Sequence, residues 1–191
     1  MTHPADDVLN RLYVDDAAQR KAGLPSSQRT RNVERDTGLF LKLLARSLNA
    51  TSVVEIGSSN AVSTIWLALG VPAGATITGP ELLPDRADEA NANLAEAGLD
   101  DVARVIAGDA AATAANLPGP FNLVFIDAEK DDYVDHFLNV IDKVRIGGVI
   151  LADNVISHDL STYQALLRER RDVETVTLPL DRGVEYTVKL R

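Results

Sequence analysis

The chain has 191 residues, 46% of them hydrophobic, and a formal net charge of −9. That length fits one domain, 1–191, with a sizeable core, and the acidic balance argues against a general nucleic-acid or anionic-membrane surface. The absence of cysteine excludes disulfides and zinc–thiolate centres.

The first residues, Met1-Thr2-His3-Pro4-Ala5-Asp6-Asp7, lack the basic start and apolar run of a secretion signal, so a cytoplasmic location is expected. Helices are predicted over about 6–22, with Val8, Leu9, Leu12 and Tyr13 on one stripe, and over 34–49, with Leu39, Phe40, Leu43 and Leu44 facing inward. Gly23-Leu24-Pro25 separates them. Strand-like runs then appear at 52–56, 75–79, 102–107, 121–126 and 148–152, separated by helical patterns at 61–70, 84–97, 110–116 and 131–144. Such alternation predicts a parallel α/β sheet with helices on both faces. The stretch 61–71 is too short to span a bilayer and carries Ser63 and Thr64. Near the end, 173–178 and 184–190 are joined by Pro179-Leu180-Asp181-Arg182-Gly183, which leaves no room for a crossover helix, so these strands pair antiparallel. The expected fold is Rossmann-like, with seven strands, the last one reversed, and the helices of 1–50 capping the site.

Two apolar runs stop abruptly on oxygen-bearing side chains: Phe125-Ile126-Asp127-Ala128-Glu129-Lys130 and Ile150-Leu151-Ala152-Asp153-Asn154. Carboxylates stay out of apolar cores, and ligands of open parallel sheets bind at the carboxyl ends of the strands. If the two strands are neighbours, Asp127, Asp153 and Asn154 meet at one point. Three hard oxygen donors suit Mg²⁺, with Ca²⁺ or Mn²⁺ as alternatives. Lys130 stands three residues after the first aspartate, within reach of whatever the metal holds. Taken singly, each aspartate also reads as a plain strand-end cap.

The run Val54-Glu55-Ile56-Gly57-Ser58-Ser59-Asn60-Ala61 takes a strand into a helix through small residues. Gly57 admits close backbone approach, and a helix N-terminus favours negative groups. A dinucleotide fingerprint is not matched, since only one glycine is present. Glu81 lies 24 residues beyond Gly57, about where an acidic residue receives a ribose hydroxyl pair. Gly108-Asp109-Ala110 falls at the same rim, where Asp109 equally suits a helix N-cap. His136, beside Phe137, reads as packing. Arg29, Arg31 and Arg35 form a basic cluster that reads as a solvated face or as a hold for an anionic substrate tail.

Together, Glu55-Ile56-Gly57, Ser63-Thr64, Gly108-Asp109-Ala110, Asp127-Ala128-Glu129-Lys130, Gly147-Gly148 and Asp153-Asn154-Val155 resemble a known family in order and spacing. It is the metal-dependent class I S-adenosylmethionine O-methyltransferases, of the catechol and caffeoyl-CoA type. The resemblance implies the same seven-stranded fold, Asp127, Asp153 and Asn154 as metal ligands, and Lys130 as general base. It implies cofactor contacts from Glu55, Gly57 and Ser63 around the methionine moiety, from Glu81 to the ribose, and from Ala110, next to Asp109, near adenine. Val33 and Asp127 join this cofactor-binding set. A homodimer acting on a small phenolic substrate is also implied.

Three departures from the family pattern stand out: Ala61 where glycine is usual and Val62 where an aromatic is usual; Gly79-Pro80-Glu81-Leu82-Leu83 in place of an apolar-acidic run; and a short segment after Asn154. The chemistry such a set performs is direct. A phenol with a pKa of about 10 is a poor nucleophile at neutral pH. A cation chelating two adjacent hydroxyls stabilises the phenolate. Beside that cation, like charge disfavours the ammonium form of Lys130, which suits it to accept the phenolic proton. Two rival readings are a cofactor-fold protein that binds without turnover and a nicotinamide oxidoreductase; the missing glycines argue against the latter.

Overall fold

The structure is a computed structural model that describes residues 3–191. Helix α1 (Pro4–Lys21) begins in a reciprocal cap: the His3 Nδ1 accepts from the Ala5 amide at 3.1 Å, and the Asp6 carboxylate accepts from the His3 amide at 3.2 Å. After α2 (Arg35–Ser47) the chain alternates: β1 (Ser52–Ile56), α3 (Val62–Ala68), β2 (Thr76–Glu81), α4 (Pro84–Glu96), β3 (Ala103–Ala107), α5 (Ala110–Asn116), β4 (Phe121–Ile126), α6 (Tyr133–Ile141) and β5 (Val144–Asp153). Helix α7 (Ser161–Glu169) precedes the closing pair β6 (Val173–Leu178) and β7 (Val184–Lys189).

The seven strands form one sheet in the order β3-β2-β1-β4-β5-β7-β6, and only β7 runs antiparallel to its neighbours. Alternate strand residues feed opposite cores, as the two-residue period of a strand requires. Val53, Ile77, Leu123, Phe125, Val149 and Leu151 pack with α1 to α4, and Val54, Ile56, Val124, Ile126, Ile150 and Ala152 pack with α5 to α7. The expected Rossmann-like architecture, with helices on both faces, is the one observed. Among the described residues no helix is long and apolar enough to cross a membrane.

Four local readings change. Leu39 and Leu43, expected to face inward, are exposed, and α2 instead buries Thr37, Gly38, Leu41 and Ala45. The helix expected over 131–144 stops at Ile141, and Val144 already pairs with Phe121; the register with β4 then shifts, so that Leu123 meets Val149 and residues 145–148 form an irregularity within β5. Gly147, at φ +73°, lies in that irregularity, and β4 and β7 hold the strand on both sides from Val149 onward. Helix α7 went unpredicted; its buried Tyr163 and Leu167 are four residues apart, a helical spacing that was present but short. Strand β2 extends through Gly79-Pro80 to Glu81, because its pairing with β1 ends at Thr78 while its pairing with β3 continues to Glu81. A proline is tolerated where the amide on the β1 side has no ladder partner to lose. That divergence opens the crevice beside β1, the strand at which the order of the sheet reverses.

Candidate active site

The crevice is a cavity of about 730 Å³ at the carboxyl ends of the strands. Val33, Gly57, Ser63, Glu81, Asp109, Ala110, Asp127, Lys130 and Asn154 all line it. Glu55 and Asp153 lie beneath its floor, at 0% and 4% exposure.

The turn after β1 forms the middle of that floor. Gly57 has φ +92°, and a Cβ there would collide with the Asp127 carbonyl. The close approach joins the ends of β1 and β4, whose register is completed by the Asp127 amide donating to the Ile56 carbonyl at 2.9 Å. Ala61, just ahead of α3, sits in left-handed backbone at φ +72°. An alanine there costs roughly 1–2 kcal/mol relative to glycine's freedom, which is the physical content of its departure from the family pattern; its side chain is fully buried away from the cavity.

Glu55 supports this turn from below. Its Oε2 accepts from the Thr64 hydroxyl, tying β1 to α3, while its Oε1 has no hydrogen-bond partner. Burial pushes the carboxyl up to about 7, against the opposing pull of the Ser63, Thr64 and Ser58 hydroxyls. The folded protein therefore holds this proton more tightly than the unfolded chain does. Stability is then unaffected below the ordinary carboxylate range, falls as pH rises through it, and levels off above about 7. Glu55→Gln copies the protonated form, so we expect nearly equal melting temperatures at about pH 4 and a variant several degrees more stable at about pH 8, on the order of 2–3 kcal/mol. Differential scanning calorimetry at both pH values checks this; a difference independent of pH would sink it.

Glu81 at the end of β2 is fixed by two backbone amides, Ser59 to Oε2 at 3.0 Å and Leu83 to Oε1 at 3.2 Å. Each oxygen keeps a further lone pair for the cavity. Asp109 serves as the N-cap of α5, its Oδ1 accepting from the Ala112 amide at 2.8 Å, and it lines the cavity as well. The segment before α2 covers the opposite side. The Ser59 hydroxyl donates to the Thr30 carbonyl at 2.8 Å, and Val33 is buried on the wall.

The acidic end follows from strand pairing. β4 and β5 are parallel neighbours with Ile126 opposite Ala152, so Asp127 and Asp153 leave the sheet side by side. Asp153 Oδ1 is buried without a partner, and burial together with the Asp127 charge pushes its carboxyl up to about 7. Asn154 follows in left-handed backbone at φ +67°. The Lys130 ammonium donates to Asp127 Oδ1 at 2.8 Å and to the Tyr133 hydroxyl at 2.7 Å. The Tyr133 oxygen in turn sits 3.3 Å from the Ile126 carbonyl and 3.1 Å from that of Asp153. Burial and the two aspartates hold the Tyr133 phenol well above its ordinary range, so it stays a neutral clamp on Lys130. Among the described residues no three Asp, Glu, His or Cys side chains converge as a metal cluster; the acidic end presents two carboxylates and an amide.

Further residues complete the cavity wall. The basic cluster divides: Arg29 and Arg31 reach the cavity, whereas Arg35 stacks on Tyr13 at 4.3 Å. Arg31 pairs with Glu129 at 2.8 Å, linking the segment before α2 to the turn after β4. Arg86 and Arg182 join the wall from distant positions. His136 lines the cavity too, which its place in α6 beside Phe137 did not reveal.

A parallel α/β sheet with one reversed strand, a glycine turn under a nucleoside-sized cavity, an acidic residue at the second strand and a lysine at the fourth define a cofactor-dependent group-transfer enzyme. Residues 10–183 match the model of a family described as O-methyltransferase. A catechol O-methyltransferase of Mycobacterium tuberculosis is 40% identical over 157 residues, covering 79% of this chain and 71% of that protein. The structure of an O-methyltransferase from Bacillus cereus in complex with S-adenosylhomocysteine superimposes with a TM-score of 0.83 at 27% identity, over 96% of this chain and 90% of that one. An O-methyltransferase of tomaymycin synthesis from Streptomyces achromogenes, in complex with S-adenosylmethionine, gives a TM-score of 0.82 at 27% identity, over 94% and 89% of the two chains. The chain belongs to this family, the S-adenosylmethionine-dependent O-methyltransferases of the catechol and caffeoyl-CoA type.

Proposed function

We propose that the chain transfers the methyl group of S-adenosylmethionine to one hydroxyl of a catechol-like acceptor, assisted by a divalent cation, Mg²⁺ in the first place. The observation that carries this reading is the pair of half-buried Asp127 and buried Asp153 beside Lys130, with Asp153 Oδ1 unpartnered and Asn154 adjacent. Two carboxylates and an amide oxygen, with no sulfur or imidazole, are the donor chemistry of a hard cation. Lys130 already pairs with Asp127, but the buried Asp153 beside it has no positive partner of its own, and a buried carboxylate is costly until one joins it. Asp127, Asp153 and Asn154 would hold that ion. When bound, it stabilises a phenolate and orients a second hydroxyl.

The chain's own residues supply the rest of this reading. Glu81 takes the ribose hydroxyls, Gly57 and Ser63 bound the methionine part, Ala110 and Asp109 flank the base, and Val33 closes the cover. Lys130, steadied by the Tyr133 hydroxyl, would release its proton to solvent beside a bound cation, which disfavours a neighbouring positive charge, and the free amine would then accept the phenolic proton. The sulfonium already carries an activated methyl, so positioning the acceptor in line is the remaining task. The curated relatives named as catechol O-methyltransferases support the acceptor class.

The test is transfer of labelled methyl from S-adenosylmethionine to a panel of catechols in Mg²⁺, in excess chelator, and after Mg²⁺ is restored. Turnover should vanish in chelator and return with the metal; full activity in chelator removes the cation from the reading. Asp153→Asn should lose at least about 10²-fold in kcat, the scale on which electrostatic assistance to a transition state is lost, with an unchanged circular dichroism spectrum. A variant that turns over normally would show that Asp153 holds nothing the reaction needs.

A further inference from the structure

Where α5 meets α6, the cavity wall holds Asp109, Ala110 and His136. His136 is only 7% exposed. Its Nδ1 is buried and has no hydrogen-bond partner. Its Nε2 likewise has no partner in the protein but is not among the buried atoms, so it is the nitrogen that meets the cavity. This side chain is the one imidazole on the wall that is both packed and unsatisfied; His158, also on the wall, is exposed and already contacts the Ser157 hydroxyl at 2.9 Å.

The placement decides the tautomer. A proton on Nδ1 would be a buried donor without an acceptor, the costlier kind of orphan. Burial holds the ring below its ordinary range and so neutral, against the pull of the Asp132, Asp109 and Asp135 charges toward the protonated form, so the single ring proton goes to the open nitrogen. His136 therefore presents one fixed N–H donor to the cavity.

The position of that donor follows from the cofactor's own connectivity. The sulfur must face Lys130, and the ribose belongs at Glu81. The Glu81 carbonyl accepts from the Gly108 amide at 2.9 Å, so the Asp109–Ala110 segment is the next wall, and the base attached to the ribose lies against it. Adenine carries three ring-nitrogen acceptors on its edges. Resting on the assignment of this cavity to the methyl donor, we propose that His136 reads the base: its Nε2–H donates to a ring nitrogen of adenine, making this residue a determinant of cofactor specificity.

Calorimetric titration with S-adenosylhomocysteine and its 1-deaza, 3-deaza and 7-deaza analogues, each of which replaces one ring nitrogen by C–H, tests this without any turnover. The wild-type protein should bind one of the three about tenfold more weakly than the parent, the effect of one hydrogen bond. His136→Ala should weaken the parent by a similar factor and abolish that discrimination. His136→Gln, which keeps an N–H near the Nε2 position, should restore part of both. A merely structural histidine would lower affinity for all four ligands alike and leave their ratios unmoved. Wild-type binding of all three analogues within about threefold of the parent overturns the proposal, as does a His136→Ala protein that keeps the preference; the wild-type comparison holds even if the variant folds poorly. Absence of any binding of S-adenosylhomocysteine would instead overturn the assignment of the cavity, and the proposal with it.

Discussion

A catechol is expected to exceed its monophenol in kcat/KM by about 10⁴, because a site built around a polar partner rejects the analogue that lacks it on this scale. The expectation rests on the acidic end of the cavity, where Lys130 pairs with Asp127 and the neighbouring strand brings Asp153 and Asn154 alongside. On the proposed reading, one acceptor hydroxyl would lose its proton to Lys130, and a second would be drawn to the cation that Asp127, Asp153 and Asn154 would hold. Removing the second hydroxyl leaves that position to water and frees the ring to rotate, so in-line attack on the methyl group loses its geometric lock. The segment between Asn154 and α7 is short, and Ile156 and His158 on it are exposed, so substituents elsewhere on the ring should be tolerated. Steady-state kinetics on a catechol and its two monomethoxy and monohydroxy counterparts decide the matter. Equal kcat/KM for catechol and monophenol would withdraw bidentate chelation as the basis of recognition.

The second large effect is expected at Lys130. Lys130→Met keeps the aliphatic stem and removes the base, and kcat should fall by about 10²–10⁴, the usual contribution of a positioned general base. Cofactor affinity should hold, because Glu81 is fixed by the Ser59 and Leu83 amides and not by the lysine. The fold should hold as well. Tyr133 keeps its contacts with the Ile126 and Asp153 carbonyls, and its ring remains packed edge-on against Tyr163 at 5.7 Å. Rapid-quench measurement of the chemical step, beside calorimetry of S-adenosylhomocysteine binding, separates the two parameters. A variant with kcat near that of wild type would assign proton removal to another group, and one with lost cofactor affinity would make Lys130 a binding residue.

Much of the architecture was legible because strands buried on both faces announce themselves as short apolar runs and end where the chain turns polar. Phe125-Ile126-Asp127 and Leu151-Ala152-Asp153 are such endings, and their pairing in register follows once the two strands are parallel neighbours. The five-residue link before Val184 likewise forced an antiparallel final pair. The lapses have local causes. Lys143 and Val144 read as helix because a helical stripe and a strand edge share apolar residues over so short a stretch. Helix α7 buries only Tyr163 and Leu167, too few apolar positions to assert a period against the flanking polar residues.

What the residues determined by themselves was therefore the alternation of elements, the reversed last strand, and the order of Gly57, Glu81, Asp127, Lys130 and Asp153 along the rim, since each depends on contacts within one strand–turn–helix unit. Tertiary structure alone decided depth and facing. Asp153, read in sequence as a rim carboxylate, is 4% exposed beneath the floor because β7 pairs along its strand. Glu55 is turned under the turn it was expected to line, because strand alternation sends it to the α3 side, where Thr64 meets it. Tyr133 became the clamp on Lys130, and His136 came to the cavity with one nitrogen open, because α6 packs against both β4 and α5. Periodicity says which face of an element is apolar; which polar atom on the other face remains without a partner depends on the elements that pack over it, and that is settled only when the whole chain has folded.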